Sequence, residues 1–333
     1  MIVSKTPFRM SFVGGGSDLP DFYRGDPGAV ISTSIDKYMY IAVNRKFDGQ
    51  VRVSYMRTEN VESAAQVEHP LVREALALMG IEGGIEIASM ADIPSQGSGL
   101  GSSSAYAVGL LNALHAYQNI HVSKEALARM ACVIEIDRLA EPIGKQDQYA
   151  AAFGGLNLIR FHPDESVTVD PVIAPPQTLA DFEASILVFY TGRTRSASQV
   201  LARQAAAMSV PGKRALLRRM VELAFDFKRE LETSGTEALG AILHENWRLK
   251  SQLAEGITDP QIDAWYAAGL AGGARGGKLL GAGAGGFLMF VAPPEQHPRI
   301  RDALSGLEQV PFNFDRAGAQ IVFYQPNSPA ATP

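Results

Sequence analysis

The chain has 333 residues, enough for about two domains at roughly 150 residues each, with 46% hydrophobic and 20% charged residues and a formal net charge of −5. That balance excludes a disordered or fibrous chain, and no Lys/Arg cluster or aromatic-basic stripe marks a nucleic-acid surface. A single cysteine, Cys132, excludes an internal disulfide, and the six histidines show no zinc spacing, so a reducing cytoplasm and a small-molecule ligand are expected.

The first residues carry Lys5 and Arg9 but no apolar run of signal-peptide length. Val3–Val13, Ala29–Val43 and Gln50–Met56 read as strands, the second rich in β-branched residues. Pro70–Met79 reads as a helix closed by Gly80, and Gly84–Ser89 alternates as a strand. A turn rich in Pro, Ser and Gly then leads into a helix over Ser104–Gln118. Residues 93–123 contain no Asp, Glu, Lys or Arg. The apolar part, Ala105–Leu114, is nevertheless too short to span a bilayer, so no membrane is expected. Ser123 suits the N-cap of a helix running to Leu139, with Cys132 on its buried face.

Pro163–Thr178 holds four prolines and reads as the domain boundary, giving a first domain over 1–165 and a second over 175–325. The second part opens with a strand at Ser185–Tyr190 and long helices within Ala197–Met208, Lys213–Glu232 and Thr236–Ala254. A helix near Gln261–Leu270, a glycine-rich turn and a strand at Gly286–Val291 follow. A short helix near Pro298–Leu307 and a last strand at Ala319–Tyr324 complete an α+β pattern. Residues 326–333 read as a disordered tail.

Glycine is the unusual residue, 32 in all, and three segments concentrate it. Pro94-Ser-Gln-Gly-Ser-Gly-Leu-Gly-Ser-Ser-Ser-Ala105 joins a strand to a helix. Its glycines let backbone N–H groups converge, the helix start adds partial positive charge, and the serines add hydroxyls for a phosphate or Mg²⁺. A serine-capped helix after a flexible turn is the plain alternative. Gly272-Gly-Ala-Arg-Gly-Gly-Lys-Leu-Leu-Gly-Ala-Gly-Ala-Gly-Gly286 matches two nucleotide-loop spacings but fails both on context. Leu279 replaces the required Ser/Thr, and the segment leads into a strand rather than a helix. A tight turn passing close to another backbone or to a phosphate fits better. Arg9-Met-Ser-Phe-Val-Gly-Gly-Gly-Ser-Asp18 ends a strand in a triple-glycine turn that presents Ser17 and Asp18. That carboxylate suits sugar hydroxyls or a local Asx turn. Glu135 on the following helix and Asp147 in Gly144-Lys-Gln-Asp-Gln-Tyr149 are further carboxylates, Asp147 being a helix cap or a candidate base.

In this order the three segments resemble the GHMP small-molecule kinase superfamily, which includes galactokinase, homoserine kinase, mevalonate kinase and phosphomevalonate kinase. The resemblance runs from Lys5 to about Phe323. Thr6-Pro-Phe-Arg-Met-Ser-Phe-Val-Gly-Gly-Gly-Ser-Asp18, Glu68-His-Pro-Leu-Val-Arg-Glu-Ala75 and Glu141-Pro-Ile-Gly-Lys-Gln-Asp-Gln-Tyr-Ala-Ala-Ala-Phe-Gly-Gly155 make it most similar to the D-glycero-α-D-manno-heptose 7-phosphate kinases. It implies a two-domain α+β fold, the first domain with a left-handed βαβ crossover and the second ferredoxin-like. It further implies ATP and Mg²⁺ as cofactors and phosphorylation of the anomeric hydroxyl, on the route to GDP-heptose for capsule or another surface glycan.

The site residues follow by motif position. Pro94 and the loop Gly97, Ser98, Gly99, Leu100, Gly101, Ser102, Ser103 and Ser104 would wrap the ATP phosphates. Ser103 and Glu135 would hold Mg²⁺, Asp147 would take the hydroxyl proton, and Arg9 would stabilise developing charge. Gly15, Gly16, Ser17 and Asp18 would bind the sugar. Gly281–Gly286 would brace the phosphate loop, with Gly283 toward the substrate. Ser17 departs from a common Thr, and Gln96 from a common small residue.

A sugar that brings its own phosphate needs further cations, for which Arg193 and Arg195 in Thr191-Gly-Arg-Thr-Arg-Ser196 are the candidates, with Lys145 and Arg24 behind them; a solvated turn is the plain alternative for the arginine pair. A kinase of unphosphorylated fucose or galactose, or a non-catalytic sugar sensor, would share much of this pattern. A homodimer stays open.

Overall fold

The computed structural model describes residues 1–93, 97–193, 197–210 and 212–325. Strands β1 (Ile2–Val13) and β2 (Gly28–Arg45) are long antiparallel partners, joined by the triple-glycine turn and the one-turn helix α1 (Pro20–Tyr23). Their β-branched and aromatic residues, among them Phe8, Phe12, Val30, Ile31 and Ile41, are fully buried. β3 (Val51–Ser54) and β4 (Thr58–Val61) form a hairpin, and α2 (Pro70–Leu78) leads back to β5 (Ile85–Ala91), which pairs with β2 and in parallel with β3.

Helix α3 (Ser102–Tyr117) packs on β1 and β2, and every residue from Ser104 to His115 is buried. Burial on all sides explains the missing charges of this segment, because an ionised side chain there would have no solvent or partner. Among the described residues no helix is long and apolar enough to cross a membrane. α4 (Lys124–Cys132) starts where Ser123 Oγ accepts the Ala126 N–H at 3.2 Å, and it buries Cys132. It then widens into a π-helical turn over Val133–Arg138, closed by Leu139 N–H on the Ile134 carbonyl five residues back. α5 (Gln146–Phe153) and β6 (Leu156–Phe161) follow, and β7 (Val167–Pro171) pairs with β6.

After α6 (Pro176–Ala184) comes β8 (Ile186–Tyr190), and then four helices: α7 (Ala197–Ala207), α8 (Lys213–Thr233), α9 (Leu239–Ser251) and α10 (Pro260–Ala271). β9 (Gly276–Leu279) and β10 (Phe287–Val291) flank the last glycine turn. α11 (His297–Ala303) leads to β11 (Glu308–Gln309), β12 (Phe314–Asp315) and β13 (Gln320–Tyr324). The second sheet runs β11-β8-β10-β9, all antiparallel.

The second sheet lies between two cores. Ile186, Val188, Phe287 and Met289 face the core of the first sheet, whereas Leu187, Phe189, Leu288 and Phe290 face a core built with α8 to α11. Alternate residues of one strand point to opposite faces, so apolar residues are needed at every position. An aromatic cluster ties the halves together: Phe12 of β1 stands 5.1 Å from Phe182 of α6 and 5.8 Å from Phe227 of α8, centroid to centroid.

Three features differ from the sequence reading. β7 lies inside the proline-rich stretch read as the domain boundary and extends the first sheet to Pro171. β12 and β13, placed by sequence in the second domain, pair instead with β2 and β1. The glycine-rich segment also contains a strand, β9, because Gly276 and Gly277 press against the Gly240 and Met289 carbonyls where a Cβ would collide. The stretch 326–333, read as a tail, lies outside the described residues.

Candidate active site

A cavity of about 600 Å³ opens where the two cores meet, a size suited to small molecules. One wall is the loop Gly97–Gly101 and the start of α3. Gly101 occupies the N-cap with φ +72° and offers no side chain to cap the helix, so the positive end of α3 faces the cavity. A Cβ at Gly101 would lie 3.2 Å from both Arg9 Cγ and Asp147 Oδ2. The loop is braced from the second half: a Cβ on Gly99 would come within 2.5 Å of the Leu280 carbonyl oxygen, and one on Gly286 within 2.4 Å of the Ser98 carbonyl oxygen. Two backbones thus pass with no room for a side chain between them.

Arg9, on β1, makes a two-pronged pair with Asp147 in the first turn of α5: Nε to Oδ1 and Nη2 to Oδ2, each 2.7 Å. Its Nη1 donates to the Gly99 carbonyl at 2.7 Å, and its own N–H donates to the Leu100 carbonyl. One guanidinium therefore fixes the carboxylate relative to the loop. Ser103 Oγ donates to Glu135 Oε1 at 2.6 Å, and Gln148 Nε2 donates to Oε2 at 2.7 Å. Glu135 sits on the π-helical turn, a distortion frequent at functional sites. Burial pushes its pKa up to about 7, against the pull of its hydrogen bonds to Ser103, Ser104 and Gln148. Among the described residues no cation is ion-paired with it.

On the opposite side, Asp18 Oδ1 accepts the Gly16 N–H at 2.9 Å and Oδ2 accepts the Gln146 N–H at 3.4 Å. Burial first, and Asp147 second, raise its pKa, while Lys250 opposes them. Gly144 packs so tightly on Asp18 that a Cβ would sit 2.0 Å from Oδ2. The triple-glycine turn is also held from the second half. Asn246 Oδ1 accepts the Gly14 N–H at 3.1 Å, Lys250 Nζ donates to the Gly15 carbonyl at 3.1 Å, and Lys278 Nζ donates to the Ser11 carbonyl at 2.7 Å.

The cavity brings together Arg9, Gly15, Gly16, Asp18, Glu135 and Asp147 with Gly97, Ser98, Gly99, Gly101 and Ser102 to Ser104. Five other expected residues are placed elsewhere. Ser17 turns away, its Oγ exchanging hydrogen bonds with the backbone of Ala29, so it shapes the turn. Lys145 reaches outward to Glu165, as does Arg24, and its ammonium lies over the Tyr23 ring. Arg193 pairs with Asp259, the N-cap of α10, at 2.8 Å. Gly283 is pressed on Ile257, leaving Gly281 and Ala282 at the cavity. Leu100 is buried beneath the loop, and Pro94 and Arg195 fall outside the described residues.

Lys250, Lys278, Ser11 and Gln146 line the cavity without having been singled out by sequence. A signal was present for Lys250: it continues the Leu239, Leu243, Asn246 face of α9 at helical spacing, a charge in a buried stripe. Lys278 is likewise the lone charge in the short buried strand β9.

The family description GHMP kinases N terminal domain matches residues 61–155, and GHMP kinases C terminal matches residues 227–307. The chain belongs to the GHMP kinase family. As a GHMP kinase it is a phosphotransferase, and these kinases use ATP as phosphate donor. A D-glycero-alpha-D-manno-heptose 7-phosphate kinase of Campylobacter jejuni is 26% identical over 324 residues, covering 91% of this chain and 93% of that protein. The bifunctional fucokinase/GDP-fucose pyrophosphorylase of Arabidopsis thaliana is 28% identical over 311 residues, 86% of this chain but 29% of that protein. In fold, the GHMP kinase chain matches a D-glycero-D-manno-heptose 1-phosphate kinase from Bacteroides thetaiotaomicron with a TM-score of 0.80 at 24% identity, covering 98% of this chain and 100% of that one.

Proposed function

We propose that this GHMP kinase phosphorylates the anomeric hydroxyl of a sugar that already carries a phosphate, D-glycero-α-D-manno-heptose 7-phosphate, giving the 1,7-bisphosphate. The observation that carries the reading is the Arg9–Asp147 pair, set between the glycine-serine loop and the Asp18 turn. It supports the reading because a carboxylate stands between the candidate phosphate loop and the candidate sugar turn. The similarity to the Campylobacter jejuni kinase supports the choice of sugar.

In this mechanism the Gly97–Gly101 loop and the start of α3 hold the nucleotide phosphates by backbone N–H groups. Asp147 accepts the proton as the anomeric oxygen attacks the terminal phosphorus and ADP departs, a contribution of about 10²–10⁴-fold for such a base. Arg9 keeps that carboxylate in place and offsets charge building on the transferred group. Asp18 orients ring hydroxyls. Ser103 and Glu135 suit Mg²⁺, being adjacent oxygen donors, and among the described residues the buried carboxylate has no cation paired with it. Bound there, Mg²⁺ would neutralise phosphate charge.

Fucose is the second reading, on the strength of the fucokinase similarity. The test is coupled ADP release with ATP and Mg²⁺ over heptose 7-phosphate, sedoheptulose 7-phosphate, mannose 6-phosphate and free fucose, galactose and mannose. Preference for the heptose phosphate, with the new phosphate on the anomeric carbon by NMR, is the expected result. Turnover of only unphosphorylated sugars would remove the reading, and no turnover at all would favour a sensor.

A further inference from the structure

Three basic side chains line the cavity among the described residues: Arg9, Lys250 and Lys278. Arg9 is committed, with two nitrogens on Asp147 and the third on Gly99. Lys250 and Lys278 are buried, at 5% and 3% exposure, and among the described residues neither has a carboxylate within ion-pair distance. Their protein partners are neutral oxygens: Gly15 O and Gln204 Oε1 for Lys250, Ser11 O for Lys278. An ammonium has three N–H donors. Among the described residues, one donor on Lys250 and two on Lys278 therefore have no protein acceptor.

Burying a charge without a counter-charge is costly, and removing such a charge is often neutral or stabilising. The cost is visible here, since burial lowers the pKa of both lysines, that of Lys250 to about 8. Two such cations on one wall call for an anion supplied from outside. Nearby polar groups are also waiting: Ser11 Oγ and Gln146 Oε1, buried on the same cavity, have no hydrogen-bond partner among the described residues.

The position of the lysines separates two phosphates. The nucleotide already has its cradle in the glycine loop and α3, on the first half. Lys250 instead stands over the acceptor turn, its Nζ 3.4 Å from where a Cβ on Gly16 would be, an ordinary van der Waals contact. Two other cations expected to hold an acceptor phosphate are engaged elsewhere, Arg193 with Asp259 and Lys145 with Glu165, and Arg195 lies outside the described residues.

We propose that Lys250 and Lys278 form the phosphate-binding wall for the acceptor, taking the phosphate the sugar brings rather than the one it receives. This rests on the reading of the cavity as the site of a sugar-phosphate kinase. The two lysines then act as specificity residues: the phosphate fills the donors that neutral oxygens leave unused, and a sugar without it leaves those donors empty, with only the longer-range pull of Asp18 on Lys250.

The test compares wild type, Lys250→Met, Lys278→Met and Lys250→Arg in steady-state kinetics with heptose 7-phosphate and with the same heptose lacking its phosphate, varying ATP separately. Methionine keeps the length of the chain and removes the charge, and melting curves check that each variant folds. Expected is a rise in KM for the sugar phosphate on the order of 10–100-fold for each methionine variant, the loss of a charge-assisted bond. The wild-type preference for the phosphorylated sugar should fall by a similar factor and return in part with arginine, while the KM for ATP moves less than about threefold. A rise in the KM for ATP with the sugar-phosphate KM unmoved would overturn the proposal and give the lysines to the nucleotide. Folded methionine variants with wild-type kinetics would also overturn it. A wild type that prefers unphosphorylated sugars removes the functional reading and the proposal together; a wild type with the preference intact beside insensitive variants removes the proposal alone.

Discussion

Gly101→Ala separates backbone strain from misplacement of the catalytic pair. At φ +72° an alanine is strained by about 1–2 kcal/mol wherever it is placed. At this site its Cβ would also stand 3.2 Å from Asp147 Oδ2 and from Arg9 Cγ, tighter than ordinary contact by a few tenths of an ångström. Asp147 is clamped by two 2.7 Å bonds and Arg9 by a third to Gly99, so the shift moves the whole assembly rather than one flexible tip. Because a misplacement of about 1 Å can cost about 10²-fold, a loss in kcat of about 10-fold or somewhat more is expected. Gly49→Ala is the control: φ is +79° there and nothing lies within 4 Å of the added Cβ. Both variants should lose similar stability in urea unfolding, but only Gly101→Ala should lose turnover by coupled ADP release. Wild-type kcat in a folded Gly101→Ala protein, or an equal loss in Gly49→Ala, would refute the assignment of the pair.

Asp147→Asn should lower kcat by about 10²–10⁴-fold with little change in melting temperature, measured by single turnover beside a thermal melt; near-full turnover would remove the base. Gly281→Ala would bring a Cβ within 2.5 Å of Gly99 Cα and push the phosphate loop off its brace, so the KM for ATP should rise more than that for the sugar. The opposite order would show that the brace serves the acceptor. Lys250 adds a pH dependence with a definite sign. Its folded pKa of about 8 is below the unfolded value of 10.5, so the unfolded chain binds more protons between those limits and the stability penalty fades as pH rises through them. The gap in unfolding free energy between Lys250→Met and wild type should then be largest below pH 8, about 3 kcal/mol from this one group, and shrink by pH 10.5. A gap that is constant in urea titrations at pH 7 and pH 10 would mean that Lys250 is not held against its charge.

Elements built from one face or one cap were legible in the sequence. β1, β2 and α3 come out within a few residues, and Ser123 caps α4 as its position suggests. The glycine segments were legible too, because positive φ and backbone contact leave few residue choices. The rest failed for reasons of range. That β13 returns to β1 across more than three hundred residues leaves no local mark, since either sheet would accept a short alternating strand. Arg193 and Lys145 looked available because a sequence shows the cation but not Asp259 or Glu165 waiting for it. Lys250 was not singled out at all, although it continues the buried stripe of its helix.

The grip of the second half on the triple-glycine turn gives that turn its meaning. The carboxylates lining the site, Asp18, Glu135, Glu141 and Asp147, come from the first half, while two of the three cavity cations come from α9 and β9, so the acceptor side is complete only when the halves are docked. Asn246 isolates this dependence, because it is buried and its Oδ1 accepts the Gly14 N–H without itself carrying charge. Asn246→Ala leaves that N–H without its partner, at about 1–3 kcal/mol, and loosens the start of a turn whose own side chains, Ser17 and Asp18, hold only its far end. The KM for the sugar should rise several-fold with the KM for ATP close to wild type, because the glycine-serine loop is braced separately through Gly99 and Gly281. Equal rises in both would mean that α9 positions the two halves as one body rather than the acceptor turn in particular.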